Sequence, residues 1–191
     1  MFENYSQYWL EFLTVASVHI LAVASPGPDF AIVLKHSISF GRRTAIVTSL
    51  GVGVAILIHV AYSLLGIGIL IKTTPLLFQI FSYLAAAYLL YIGWGALRSP
   101  APSKVVDSEL QQTNQSISDK KAFAVGFLTN GLNPKATLFF LSIFAVAVSP
   151  ETPNIIKLGY GIYLALATGV WFCVLSLFLS SRKVTGFIGE N

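Results

Sequence analysis

Three long stretches of the chain carry no Asp, Glu, Lys or Arg: Thr44 to Ile71, Thr73 to Leu97 and Leu158 to Ser181. Each is longer than the ~20 apolar residues that cross a ~30 Å hydrocarbon core as a helix. Two further stretches are as apolar but interrupted, Phe12 to Leu34 by Asp29 and Ala122 to Pro150 by Lys135. The apolar runs are continuous rather than alternating, which excludes a membrane barrel. Backbone groups in lipid must bond within their own segment, so the spans are helices. The pattern predicts an all-α, polytopic membrane helix bundle with five spans.

Composition supports that reading. Hydrophobic residues make up 55% of the 191 residues, charged residues 10%, and mean hydropathy is +0.74. A soluble domain carries about 25% charged residues, and in water this chain could not cover its apolar surface. Basic residues set the orientation. Lys35, Arg42, Arg43, Arg98, Lys104, Lys120, Lys121, Arg182 and Lys183 fall at the first, third and last connections, against Lys72 and Lys157 at the second and fourth. The N-terminus is therefore expected outside and the Arg98 to Lys121 connection in the cytoplasm. That connection is polar, rich in Ser and Gln, and reads as a flexible linker. The net charge of +4 sits in short connections and is not a nucleic-acid footprint. The first eleven residues hold Glu3 and Glu11 and no Lys or Arg, the reverse of a secretory leader.

An internal repeat organises the spans. Ser25-Pro26 and Asn133-Pro134 share a spacing of 108 residues, and so do Leu50, Gly51 and Gly53 with Leu158, Gly159 and Gly161. Three spans precede the linker, so the second copy starts from the other side of the membrane, as in many secondary transporters. The chain then reads as a single transmembrane domain, with residues 1–97 as first repeat, 98–121 as cytoplasmic linker and 122–191 as an incomplete second repeat. The partner of the third span would lie beyond residue 191, and Val184 to Asn191 is too short and Gly-rich to cross. The expectation is two inverted three-helix repeats with the sixth helix missing.

Candidate chemistry lies in the interruptions. In Ser25-Pro26-Gly27-Pro28-Asp29 two prolines flank a glycine, which breaks a helix. Ser25 is then the expected cap of a helix restarting at Pro26. Asn133-Pro134-Lys135 repeats the device. Freed N–H groups and a positive dipole end suit a carboxylate, and freed carbonyls suit an ammonium. Asp29 and Lys135 add one charge of each sign, and ionisable groups at membrane depth are functional candidates by default. They could serve the substrate or proton path, pair structurally, or, for Lys135, reach toward the surface. His19 and His59 lie within spans and could carry protons or simply bond between helices. The glycine pairs (Gly51/Gly53, Gly66/Gly68, Gly93/Gly95, Gly159/Gly161) are read as close-packing positions, and Trp94 and Trp171 as interfacial anchors. Cys173 is the single cysteine, so no intrachain disulfide or Cys-based metal site can form. Paired carboxylates, HExxH and GxSxG are absent from the sequence. No enzyme activity, metal or cofactor is expected.

The residues around these breaks resemble the LysE/RhtB family of amino-acid exporters. The resemblance covers FLTVASVHILAVASPGPDFAIVLKHSISFGRRTAIVTSLGVGVA (Phe12 to Ala55), PLLFQIFSYLAAAYLLYIGWGALRS (Pro75 to Ser99) and AFAVGFLTNGLNPKATLFFLSIF (Ala122 to Phe144). SPGPDF followed by a GRR turn, with LTNxxNPK downstream, is far more specific than either motif alone. FLTVASVHI is most similar to the threonine-exporter branch. The resemblance implies export of a threonine- or homoserine-like neutral amino acid across the bacterial inner membrane, driven by the proton motive force. It implies signature positions at Pro26, Gly27, Pro28 and Asp29 and at Asn133, Pro134 and Lys135. Expected partners are the amino acid, protons, the bilayer and a second copy of the chain. Members usually carry a sixth span after a basic stretch such as Arg182-Lys183. A truncated, inactive or accessory member of the family is the alternative.

Overall fold

The computed structural model describes residues 2–98 and 117–180, and every regular element in them is helical. The elements are α1 (Phe2–Ala24), α2 (Pro28–Ser39), α3 (Gly41–Thr73), α4 (Pro75–Arg98), α5 (Asp119–Gly131), α6 (Pro134–Val146) and α7 (Asn154–Leu179). Both interrupted stretches are therefore broken, between α1 and α2 and between α5 and α6. Most of the expected linker and the tail from residue 181 onward lie outside the described residues.

Among the described residues three helices are long and apolar enough to cross a membrane: Ser6–Ala24 within α1, Gly41–Gly66 within α3, and Asn154–Leu179. Pro75–Leu84 and Pro134–Val146 are apolar but shorter. Large apolar side chains such as Leu10, Leu132 and Phe178 stand exposed, 64%, 78% and 68%. Exposed apolar side chains of this size are what a bilayer covers. Trp94 and Trp171 are also exposed, as anchors would be, and Cys173 is a half-buried free thiol.

Hydroxyl groups inside these helices bond backward along their own helix. Thr14 donates to the Leu10 carbonyl, Ser17 to Leu13, Ser37 to Val33, Thr48 to Thr44, Ser49 to Ala45, Ser82 to Phe78 and Ser176 to Phe172, all at 2.7–2.9 Å. Each such bond satisfies a polar group four residues back without a tertiary partner.

The chain forms two compact units, and each draws on both halves of the sequence. The first comprises residues 1–25, 56–99 and 134–164. Within it α4 packs against α6 and α1. Its core includes Val15, Ile56, Val60, Phe139, Phe140, Ile143 and Leu164. Gly161 lies directly against the Val60 side chain, leaving no room for a methyl group.

Glu11 of α1 is 8% exposed and is the acceptor of a ring of donors in this unit. The Gln7 side chain donates to Oε1 at 3.1 Å, the Ser149 backbone N–H at 3.2 Å, and the Thr152 hydroxyl at 2.9 Å, with Oε2 2.8 Å from that same hydroxyl. Tyr160 donates to the Tyr8 carbonyl at 2.7 Å, with its oxygen 3.4 Å from Oε2. The carboxylate thus ties α1 to the α6–α7 turn, and the Tyr8 carbonyl ties α1 to α7.

The second unit comprises, among the described residues, 26–55, 117–133 and 165–180. Here α2 packs on α5, over a core that includes Val33, Ala45, Val52, Ala122 and Phe172. Small residues let backbones meet. A Cβ on Gly51 would strike the Phe123 carbonyl, one on Gly126 the Thr48 carbonyl, and one on Gly53 would sit 2.9 Å from the Cα of Gly169. The close-packing reading holds for Gly51, Gly53 and Gly161. It fails at Gly66 and Gly159, whose Cβ positions meet nothing within 4 Å. Those two glycines share the spacing of the others but meet no neighbour among the described residues.

Candidate functional site

Both breaks are built by proline. The residue before a proline is driven out of the helical region, and this acts twice in succession at Ser25-Pro26 and Gly27-Pro28. Gly27 is fully extended, with φ −169° and ψ −171°, and it caps α2 with Pro28 as the first helical residue. The expected start at Pro26 with Ser25 as cap is therefore corrected. No side chain caps α2, and the second proline moves its start two residues on. The first helical bond runs from the Ala31 N–H to the Gly27 carbonyl at 3.0 Å. The second break is tighter. Asn133 donates its N–H to the Asn130 carbonyl at 2.9 Å, and α6 begins at Pro134 as expected.

In the second unit, Asp29 occupies the first turn of α2, where a carboxylate complements the helix dipole. Its Oδ2 accepts two amides, Asn130 Nδ2 at 3.0 Å and Asn133 Nδ2 at 3.1 Å. Both asparagines are almost fully buried, at 2% and 4% exposure. The acid of the first break is thus held by the second break. Asn130 stands in the LTNxxNPK motif, but nothing local distinguishes it from Thr129 or Gly131. Its role depends on packing 101 residues away.

In the first unit the relation is reciprocal. Lys135, in the first turn of α6, donates through Nζ to the Ser25 carbonyl at 3.1 Å. That carbonyl closes the end of α1, where a cation is favoured. Pro26 and Pro28 are exposed, while Ser25, Gly27, Asp29 and Lys135 are half-buried.

His19 and His59 also meet in the first unit, against one aromatic pair. His59, fully buried, stacks on Phe140 with ring centroids 5.6 Å apart and planes at 12°. His19, 2% exposed, lies 6.2 Å from Phe139 and 6.4 Å from Phe140 by ring centroids. His59 Nδ1 is hydrogen-bonded to the hydroxyl of Tyr62, which in turn bonds to the side chain of Thr137. Sequence reasoning singled out neither Tyr62 nor Thr137; a tyrosine in an apolar run carries no local mark of a polar role.

The second unit holds another buried histidine that the sequence pattern did not mark. His36 is 4% exposed, and its Nδ1 lies 2.6 Å from the Thr48 hydroxyl. It was hidden by its neighbour Lys35, which assigns that stretch to a connection. Nearby in this unit Ser49 and Ser176 share a hydroxyl–hydroxyl bond of 2.9 Å.

The chain as a whole is matched by known proteins. The chain is 32% identical to the threonine efflux protein of Escherichia coli (strain K12) over 177 residues, covering 92% of this chain and 85% of the relative. It is 36% identical to the leucine efflux protein of Salmonella choleraesuis (strain SC-B67) over 198 residues, covering 100% of this chain and 87% of the relative. No solved structure matches. Residues 20–185 match the LysE type translocator family, a stretch that contains both breaks and their charged residues. The chain is a helical membrane protein belonging to the LysE type translocator family.

Proposed function

We propose that the chain exports a neutral amino acid, threonine- or homoserine-like in side chain, from the bacterial cytoplasm across the inner membrane. One observation carries the reading: two broken helices each hold a charged residue against groups of the other break. Asp29 is bound by Asn130 and Asn133, and Lys135 by the Ser25 carbonyl. Irregular backbone at membrane depth is tolerated where it lines a cavity or is enclosed by protein. Discontinuous helices are how many secondary transporters present dipole ends to substrates and ions. In the first unit Lys135 and the opened amides of α6 suit a carboxylate; in the second unit Asp29 suits an ammonium. The relatives named for threonine and leucine efflux support export of small amino acids.

The proton motive force drives the export in this reading, with His19 and His59 in the proton path. The crossings are five: α1 with α2, α3, α4, α5 with α6, and α7. The N-terminus lies outside and the linker in the cytoplasm. Membership in the compact units supports the inverted repeat. The first half visits unit one, then two, then one, whereas the second visits two, then one, then two. The switches at 25/26 and 133/134 keep the 108-residue spacing.

Efflux of radiolabelled threonine, homoserine and leucine from proteoliposomes under an imposed pH gradient tests the reading. Export of at least one of them, accelerated by the gradient, is expected. Lysine-only transport, or transport indifferent to the gradient, would refute it.

A further inference from the structure

The residues that set His59 apart from an ordinary buried histidine lie on two helices of the first unit. His59 is fully buried on α3, with one ring face against Phe140. Tyr62, one turn further along α3, bonds to Nδ1 of His59. The Tyr62 hydroxyl also meets the side chain of Thr137. Thr137 stands three residues after Pro134 and two after Lys135, so the series ends in the first turn of the restarted helix. One turn beyond His59 on the same helix face, the Ser63 hydroxyl is fully buried and has no hydrogen-bond partner among the described residues.

From this geometry we propose that Tyr62 and Thr137 are relay residues, carrying protons between the start of α6 and the imidazole of His59. The proposal rests on the proton-coupled reading above. Alcohol, phenol and neutral imidazole each donate and accept, which a relay requires of every member. A proton taken from water onto the Thr137 oxygen displaces the hydroxyl proton to Tyr62, and the proton of Tyr62 moves to Nδ1 of His59. Nε2 then releases its proton to water. One proton enters, one leaves, and no bond between heavy atoms changes. Rotation of the two hydroxyls and return of a proton to Nε2 restore the starting state.

A structural role alone explains the same contacts less well. A helical Ser or Thr can satisfy its hydroxyl on its own helix, as seven others here do. Thr137 also reaches a phenol on another helix, and that phenol is hydrogen-bonded to the imidazole of His59. Among the titratable groups of this unit, Tyr62 stands on α3 beside His59, His19 on α1 and Lys135 on α6. His19 lies against Phe139 and Phe140, and His59 stacks on Phe140.

The test uses the full chain in proteoliposomes with the substrate that the wild type exports, threonine or leucine. Two rates are compared: efflux driven by a pH gradient, and gradient-free exchange of labelled for unlabelled substrate. Tyr62→Phe and Thr137→Val should each lower gradient-driven efflux at least ~tenfold, the lower end for a lost proton-transfer group, and leave exchange within about twofold. Thr137→Ser, which keeps a hydroxyl, should restore the driven rate. A Tyr62→Phe protein that follows the gradient as the wild type does would overturn the relay. So would equal loss of both rates in a variant that still elutes as a folded species, which would mark a packing role. A wild type that exchanges substrate yet ignores the gradient would instead sink the proton-coupled reading, and the relay with it.

Discussion

Replacing Glu11 by alanine should be among the most destabilising single changes in the first unit, although the residue lies far in sequence from either break. Its carboxylate accepts from Gln7, Ser149 and Thr152, with Tyr160 at the edge of range. These contacts differ in worth. Gln7 is on the same helix and exposed enough to turn to water. Tyr160 spends its proton on the Tyr8 carbonyl at 2.7 Å. Thr152 has one proton, so its two short distances make one bond. That leaves two bonds that α1 makes to the α6–α7 turn, the Ser149 N–H and the Thr152 hydroxyl. Bonds to a charged acceptor contribute about 1.5–3 kcal/mol each, and a buried donor left unpaired costs about 1–3 kcal/mol. The alanine variant should lose about 3–5 kcal/mol. A change of 1 kcal/mol shifts Tm by about 2–4 °C in a chain of this size, so the midpoint should fall by about ten degrees. Glutamine keeps the shape and one acceptor oxygen and should lose only about a third as much. Thermal unfolding of the detergent-purified protein, read by loss of the monodisperse elution peak, measures both. A Glu11→Ala midpoint within about 2 °C of wild type would falsify the reasoning. In the Thr152→Val background the Glu11→Ala change should cost clearly less, because neighbours sharing a bond are not additive.

Gly126→Ala forces a methyl group onto the Thr48 carbonyl and should cost about 1–3 kcal/mol by overpacking. Gly159→Ala meets open space within α7 and should gain about 0.5–1 kcal/mol; the same elution assay reads both signs. Asp29→Asn keeps an oxygen for Asn130 and Asn133 but removes the charge, so elution should stay normal while proteoliposome efflux falls at least ~tenfold. Lys135→Ala should do likewise. Wild-type rates in both variants would remove the breaks from the transport site.

Helix positions and both breaks were legible because they follow from local rules: apolar length, proline and the residue before it. The spacing of 108 residues also linked the breaks before any contact was known. Local rules misplaced only the restart of α2, where two pre-proline restrictions in succession favour Pro28 over Pro26. Side-chain partners were not legible. Asn130 and Asn133 reach Asp29 across more than a hundred residues, and no pattern near Asp29 identifies them. Glu11 looked like one acid in a short N-terminal stretch, and only the fold closes the α6–α7 turn around it. Glycine spacing shows where a helix could approach another. The neighbour that decides whether it does, present at Gly161 and absent at Gly159, belongs to the tertiary structure.

The backward-bonded hydroxyls have a consequence for how such a chain enters its membrane. Thr14, Ser17, Ser37, Thr48, Ser49, Ser82 and Ser176 carry their acceptors with them, four residues upstream on the same helix. An unsatisfied polar group in hydrocarbon costs several kcal/mol; these seven meet that need as soon as their helix forms. Each helix can leave the insertion machinery singly, before its neighbours are synthesised. The later bonds between helices, such as Ser49 to Ser176 and His36 to Thr48, then select partners among segments already lodged in lipid. Polar residues here guide assembly without obstructing entry, which lets a chain this apolar hold a hydrogen-bonded interior.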